Sequence, residues 1–194
     1  MIRIEPMTTE HIDEVLKIEE VASPEPWTRG IFTDELSSNQ RAYYVAVAGS
    51  RVEGPRVVGF AGLLMQVTDG HVANIAVDPL HRRRRIAARL LLALCRAGVA
   101  RGARALTLEV RVSNHGAREL YRRFGFAPAG VRPQYYANNG EDALIMWAHD
   151  VDTAEFGTRM AEIAQWIDQA RVDQARVDPA RVDPARVEQR GSAS

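Results

Sequence analysis

Four consecutive arginines, Arg82 to Arg85, stand directly before an apolar helical segment and are the first candidates for binding chemistry. The preceding residues 74–77 read as the end of a strand, which Asp78-Pro79 terminates. A helix N-terminus offers unpaired backbone N–H groups and the positive end of the helix dipole, both of which attract phosphate. Guanidinium groups add charge-assisted donors, but four cations oppose the dipole unless an anion compensates them. The pattern therefore predicts an anion site; the alternative is a solvated charge run.

A second candidate is the pair Glu109 and Tyr121, a carboxylate and a phenol that could accept and donate a proton. Glu109 lies at the end of an otherwise apolar strand, and Tyr121 follows twelve residues later on the next helical segment. A turn and about two helical turns could carry the phenol back to the strand end. Taken alone, these residues favour plainer interpretations: an edge carboxylate paired with Arg111, and a core tyrosine.

The elements that must position these residues follow from the spacing of apolar side chains. Alternating or compact apolar runs predict strands at residues 2–5, 43–48, 57–67, 72–77, 105–110, 126–133 and 143–148. Helical spacing predicts helices after Thr8, after Thr28, from Ile86 and after Asn114. The order predicts an α/β fold, in which a mixed, mostly antiparallel sheet with a central parallel strand pair is flanked by helices.

The C-terminal region differs in character from the rest of the chain. Met160, Ile163, Ala164 and Ile167 form a helical stripe, which we expect to pack on the domain or to fray rather than to recruit a partner. A five-residue repeat based on Ala-Arg-Val-Asp follows, and its period matches neither a helix nor a strand face. We interpret residues 1–150 as one domain, 151–170 as a helical extension and 171–194 as a disordered tail without a function of its own.

These stretches together resemble the GNAT superfamily of acyl-CoA-dependent N-acetyltransferases, over roughly residues 2–147. Arg82, Arg85 and Ala87 stand where the family's pyrophosphate loop has Gln or Arg, two residues, Gly, one residue, then Gly or Ala. The likeness extends to the bacterial ribosomal-protein-alanine acetyltransferases. It rests on an ordered set of segments: Pro26-Trp27, Asn74 to Val77, Leu108 to Arg111, Ser113-Asn114, Leu120-Tyr121, Gly125-Phe126, Gln134 to Tyr136 and Glu141 to Met146.

The resemblance implies a GNAT fold and a role for each matching position. Glu109 would be the general base that takes a proton from the acceptor amine, and Tyr121 the general acid that protonates the leaving thiolate. Acetyl-CoA would be the cosubstrate, with no metal. The residues implied for its binding are Ile75, Ala76 and Val77 along the pantetheine arm, Arg82, Arg83, Arg84, Arg85 and Ala87 at the pyrophosphate, and Asn114.

Three further positions carry open alternatives. Tyr135 and Tyr136 lie between the last two predicted strands, where the resemblance implies a loop over the peptide groove; ordinary hairpin packing is the equal alternative. His71 could reach a substrate, although a surface histidine at a strand end is the plainer interpretation. Arg85 departs from the family's usual Gly, so its side chain would either crowd the pyrophosphate or contact the cosubstrate.

Composition excludes several classes of protein. The 194 residues carry 25 Lys+Arg and 25 Asp+Glu, so no net charge drives binding to nucleic acid or membrane. Among the cations, 24 are Arg, which a GC-rich genome explains more simply than selection for phosphate binding. A single cysteine, Cys95, permits no intrachain disulfide, and we read it as a core residue. The absence of any long apolar run makes a cytoplasmic protein the simplest interpretation.

The sequence thus predicts an enzyme that acetylates a protein N-terminal α-amine by direct attack in a ternary complex. The expected acceptor is the N-terminal Ala of a small-subunit ribosomal protein, with no direct nucleic-acid or membrane partner. The alternatives are a GNAT enzyme acting on other protein N-termini or on a small amine, and a CoA-binding module that has lost activity, as the unusual Arg85 suggests.

Overall fold

A seven-stranded sheet organises the molecule, whose computed structural model describes residues 2–50 and 54–177, with side chains up to residue 169. The inner strands bury apolar side chains on one or both faces, whereas the edge strands β1 and β6 carry no fully buried residue. The strands are β1 (Ile2–Pro6), β2 (Arg41–Ser50), β3 (Gly54–Gln66), β4 (Asp69–Val77), β5 (Ala105–Arg111), β6 (Ala127–Tyr136) and β7 (Glu141–His149).

The sheet order is β1-β2-β3-β4-β5-β7-β6, and its pairs are antiparallel except for the central pair β4 and β5. The parallel pairing covers only Asp69 to His71 against Ala105 to Thr107. Both strands continue beyond it, to Val77 and to Arg111. Because their carboxyl-terminal halves share no pairing, β4 and β5 diverge and leave a gap in the middle of the sheet.

Helices cover both faces of the sheet and bury two apolar clusters. Helices α1 (Ile12–Ala22) and α2 (Arg29–Ser37) pack on one face around Phe32 and Phe60. Helices α3 (Ile86–Ala100), α4 (His115–Arg123) and α5 (Ala154–Val177) contribute to the larger cluster on the other face. The predicted α/β fold with its central parallel pair is therefore confirmed.

Two capping side chains and one glycine mark the boundaries of three helices. The Thr28 hydroxyl accepts a hydrogen bond from the Ile31 N–H at 3.4 Å, and the Asn114 side chain accepts one from the Ala117 N–H at 3.1 Å. Gly102, just beyond α3, adopts a φ of +87° that favours glycine. The sequence predicted these three boundaries from the same residues.

Helix α5 packs against the domain rather than fraying from it. Met160, Ile163 and Ile167 are all buried in the larger cluster. The helix continues to Val177, seven residues past the predicted end of the helical extension at 170. The remainder of the predicted tail, residues 178–194, lies outside the described residues.

Candidate active site

The gap between β4 and β5 opens into a cleft of about 500 Å³. Strand β4 forms one wall and β5 the other, while the α1–α2 connection and the β6–β7 turn flank its mouth. Seven of the residues that the sequence predicted for the site line this cleft: Ile75, Ala76, Glu109, Asn114, Tyr121, Tyr135 and Tyr136. The diverging strands thus bring the predicted proton acceptor and proton donor to one cavity.

Glu109 has only 8% of its side chain exposed, and each carboxylate oxygen has a partner. His71 Nε2 lies 3.2 Å from Oε2, and Arg132 Nη2 lies 3.1 Å from Oε1. His71 is thus part of the site rather than a plain surface histidine. Arg111, the partner considered from the sequence, instead pairs with Glu141 at 3.0 Å. The two contacts fix the orientation of the Glu109 carboxylate inside the cleft.

Tyr121 projects from α4 into the same cleft. Its ring packs against Phe126, with centroids 6.0 Å apart, so it is also the core residue that the plainer interpretation suggested. Burial, and to a lesser degree the neighbouring Tyr136, raises the pKa of Tyr121 to about 12. The phenol therefore keeps its proton at neutral pH and is available as a donor.

Tyr135 and Tyr136 lie at the end of strand β6, rather than in the loop after it as the sequence predicted, and charged groups hold this end of the hairpin in place. The Arg111 guanidinium lies 3.7 Å from the Tyr136 ring centroid and also contacts Glu141. Glu141 accepts a hydrogen bond from the Ser113 N–H at 2.9 Å, and the contacts with Ser113 and Arg111 lower its pKa to about 2. These contacts join the turn to the end of β5, so the tyrosines form part of the cleft wall.

Two polar groups in this cleft that have buried side-chain atoms were not among the site residues predicted from the sequence. Glu19, on α1, is 5% exposed and accepts a hydrogen bond from the Trp27 N–H at 3.2 Å, while burial raises its pKa. Asn74, on β4, has a buried side-chain amide with no hydrogen-bond partner in the described part of the chain. Glu19 follows the helical apolar pattern of α1 and carried no separate signal, and Asn74 was seen only as part of a resemblance.

The backbone of β4 presents polar groups to the gap. The Asp78 N–H donates to the Val58 carbonyl at 3.0 Å, which makes these residues a hydrogen-bonded pair of the β3–β4 ladder. Because antiparallel pairs alternate, the N–H and C=O groups of Ile75 and Val77 point away from β3 and toward the gap. Ala76 has the opposite orientation, and its backbone groups pair with β3.

A second cleft, of about 250 Å³, continues from the end of β4 to the start of α3. The predicted residues that line it are Val77, Arg82, Arg83, Arg85 and Ala87. Arg84 is exposed and lines neither cleft. Arg83 and Arg85 have φ values of +62° and +56°, the region that glycine adopts without strain. This backbone geometry gives a reason why glycine would suit the position of Arg85.

Three further observations concern metal ligands, membrane spans and the single cysteine. No group of three or more His, Cys, Asp or Glu residues there could hold a metal ion. None of the helices in residues 2–50 and 54–177 is long and apolar enough to cross a membrane. Cys95 is fully buried in the core, as predicted, and burial raises the pKa of its thiol.

Comparisons with known proteins identify the family. The model of the acetyltransferase (GNAT) family matches residues 12–126. A Bacillus subtilis relative, itself named only as a candidate [ribosomal protein bS18]-alanine N-acetyltransferase, is 39% identical over 141 residues, covering 73% of this chain and 91% of that protein. An N-alpha-acetyltransferase of Sulfurisphaera tokodaii is 38% identical over 145 residues, 71% of this chain and 86% of its own.

The fold agrees with this relationship. The crystal structure of the ribosomal-protein-S18-alanine N-acetyltransferase from Escherichia coli superposes with a TM-score of 0.69 at 29% identity, covering 77% of this chain and 94% of that one. The matched segment contains β4, the arginine-rich loop, Glu109 and Tyr121. From its sequence, its sheet and its diverging central strands, this chain belongs to the GNAT family and is an acetyltransferase.

Proposed function

We propose that this enzyme transfers the acetyl group of acetyl-CoA to the α-amine of a protein N-terminus, with the N-terminal alanine of a small-subunit ribosomal protein as acceptor. The main support for the proposal is that Glu109, Tyr121 and the backbone groups of Ile75, which point into the gap, all lie at one cleft. The named activities of the Bacillus and Escherichia relatives support the choice of acceptor.

The residues of the two clefts fit acetyl-CoA, which supplies an acetyl group activated as a thioester when it is bound. The backbone groups of Ile75 and Val77 are free to hydrogen-bond to an extended pantetheine arm. Asn114 lies at the same cleft. In this assignment the Val77 N–H stabilises the negative charge that develops on the thioester carbonyl. Ala76 contributes its methyl group to the wall, because its own backbone groups pair with β3.

The arginine-rich cleft fits the phosphates. The first N–H of α3 with a helical acceptor is that of Arg89, which donates to Arg85 at 3.1 Å. The N–H groups of residues 86–88 before it are therefore free for a ligand. Arg82, Arg83 and Arg85 add guanidinium groups that have no carboxylate partner among the side chains described, which end at residue 169. Arg84 contributes only through its charge at longer range.

Glu109 and Tyr121 divide the proton transfers between them. Glu109 accepts a proton from the acceptor ammonium, directly or through a water molecule, and so frees the amine for attack on the thioester carbon. Tyr121 donates its proton to the sulfur as the carbon–sulfur bond breaks. No acyl-enzyme forms, because the amine attacks directly, and the buried Cys95 takes no part.

The mouth of the larger cleft favours a peptide over a free small amine. Tyr135 and Tyr136 at the end of β6 and Trp27 in the α1–α2 connection give it aromatic groups that an extended peptide could contact. The carboxylates of Glu19, Glu25 and Glu109 line the cleft and attract a positively charged N-terminus. Because the acceptor is a ribosomal protein, the proposal includes a cytoplasmic location and no direct contact with nucleic acid or membrane.

The proposal is tested by acetyl transfer from acetyl-CoA to a panel of acceptors: an Ala-starting peptide, peptides with other N-termini, and polyamines. We expect the highest kcat/KM with the Ala-starting peptide. Preference for other N-termini or for a polyamine would establish the corresponding alternative. Binding of CoA without turnover of any acceptor would indicate a binding module, and absence of CoA binding would refute the enzyme assignment for this chain.

A further inference from the structure

Trp166, on helix α5, lines the arginine-rich cleft next to Arg85 and Ala87. It lies 40 residues beyond the segment that the family model matches, residues 12–126. From the sequence, this helix was expected to pack on the domain or to fray rather than to recruit a partner. A tryptophan in the wall of a cleft otherwise built by the loop before α3 therefore requires its own explanation.

Two guanidinium groups lie over the Trp166 ring. Cζ of Arg85 is 4.1 Å from the ring centroid, and Cζ of Arg123, at the end of α4, is 4.3 Å from it. Arg85 Nη1 also donates a hydrogen bond to the Trp166 carbonyl. The quadrupole of the indole attracts both cations, which keeps them close together at the edge of the cleft.

The rest of α5 holds the indole in this position. Ile163 and Ile167 are buried in the core on the turns that flank Trp166. Arg89 of α3 lies 3.7 Å from the Asp168 carboxylate and 3.5 Å from the Ile167 carbonyl. Anchors from α3 on this turn of α5, together with buried side chains, leave the ring little freedom to move away from the cleft.

The guanidinium groups around Trp166 have no carboxylate partners among the described side chains. This holds for Arg85 and Arg123, and also for Arg82 and Arg83 beside them. An aromatic ring attracts a guanidinium without neutralising it, so the in-plane N–H donors other than the one that Arg85 Nη1 gives to the Trp166 carbonyl remain available to an anion. Only the nucleotide half of CoA carries several phosphates, and the arginine-rich cleft shares no lining residue with the cleft of Glu109, so it would hold that half.

We propose that Trp166 is a positioning residue of the cosubstrate site, which holds Arg85 and Arg123 where they bind the phosphates of the nucleotide half of CoA. This inference rests on the proposed binding of acetyl-CoA across both clefts. It makes α5 part of the cosubstrate site, and it assigns Arg85, which stands where the family has glycine, a contact with the ligand rather than a steric conflict.

The test is calorimetric titration of CoA into the full-length wild type and the variants Trp166→Ala, Trp166→Phe and Arg123→Ala. We expect Trp166→Ala and Arg123→Ala to raise the Kd by about tenfold, since each loses a charge-assisted contact or its support. Trp166→Phe keeps an aromatic face and should remain within about threefold of the wild type. Gln165→Ala, an exposed neighbour on α5, serves as the matched control and should leave the Kd unchanged.

Acetyl-pantetheine, which lacks the nucleotide half, distinguishes this role from general support of the fold. Trp166→Ala should leave kcat/KM for acetyl-pantetheine unchanged while it lowers kcat/KM for acetyl-CoA. Equal losses with both donors, an unchanged or lower Kd for CoA, or equal weakening by Trp166→Phe and Trp166→Ala would each overturn the inference. A wild type that does not bind CoA would instead refute the proposed function.

Discussion

Glu109, the proposed general base, is buried and is held by two neighbouring side chains. His71 approaches one carboxylate oxygen and Arg132 the other. A buried carboxylate without partners would be costly, and these contacts offset that cost and keep the carboxylate in one orientation. An acceptor amine that enters the cleft meets a carboxylate that is already oriented.

Replacement of Glu109 by Gln removes the proposed proton acceptor and keeps the shape of the side chain. We expect kcat for the Ala-starting peptide to fall by about 10²- to 10⁴-fold, with little change in the Kd for CoA. Steady-state kinetics and calorimetry measure the two quantities. The exposed Glu20, on α1, provides the matched control Glu20→Gln, which should retain wild-type kcat. A wild-type kcat in Glu109→Gln would mean that another group accepts the proton.

Replacement of Tyr121 by Phe removes the proton donor alone. We expect kcat to fall by about 10²-fold, because the thiolate must then leave without a proton from the protein. Since the pKa of Tyr121 is raised to about 12, its phenol remains protonated through the neutral and mildly alkaline range. Any loss of wild-type activity below about pH 10 therefore comes from another group and should persist in Tyr121→Phe. Disappearance of that loss in the variant would contradict this assignment.

The site forms where strands β4 and β5 diverge. The two strands pair only over their first residues, and β7 lies between β5 and β6 in the sheet although it follows β6 in sequence. This order carries Arg132 of β6 across β7 to Glu109. Local patterns predicted the strands and a central parallel pair, but not that β7 lies between β5 and β6, so the Arg132 contact could not be predicted.

Several of the site residues predicted from the sequence lie at or near the ends of helices and strands. Asn114 at a helix start, the apolar strand before Glu109 and the turn before α3 carry local signals that survive in the fold. The left-handed conformation of Arg85 is different, because nothing about an arginine favours it. Only the resemblance to a family with glycine at that position drew attention to it.

The turn between β6 and β7 provides a test of stability at the level of elements. Hydrogen bonds from Ser113 and Arg111 lower the pKa of Glu141 to about 2, from an ordinary value of 4.5. A depressed pKa in the folded state contributes stability that is complete above the ordinary pKa and is lost as pH falls through about 2. Glu141→Gln should therefore lower Tm at pH 7, and its difference from wild type should shrink below pH 4.5.

Thermal unfolding across this pH range measures the difference, with the exposed Glu10→Gln as control. The control should differ from wild type by a small amount that does not depend on pH. A Glu141→Gln difference that stays constant from pH 7 down to the acid limit would show that the carboxylate charge does not support the turn.

At the scale of the whole molecule, α5 is part of the fold rather than an appendage. Its apolar stripe closes one side of the larger core, and Ile163 is 4% exposed. We expect Ile163→Ala to lower the free energy of unfolding by about 2–5 kcal/mol, as other large-to-small core substitutions do. Urea titration measures this, with exposed Glu162→Ala as control. A loss below about 0.5 kcal/mol would mean that α5 is only loosely attached.

The zero net charge of the molecule conceals a local cluster of arginines. The formal net charge is zero, yet four arginines without carboxylate partners in the described chain, Arg82, Arg83, Arg85 and Arg123, surround or adjoin one cleft. Genome composition accounts for the general preference for Arg over Lys. It does not account for this local concentration, which the phosphates of CoA would compensate.

Mass spectrometry of intact ribosomal proteins is the most direct measurement of whether this enzyme acetylates a ribosomal protein N-terminus. Ribosomes from cells with and without this enzyme would be compared, with a Glu109→Gln strain as a further arm. We predict that one small-subunit protein beginning with Ala carries an N-terminal acetyl group only when the active enzyme is present. Identical mass profiles for all ribosomal proteins in the three strains would contradict the account.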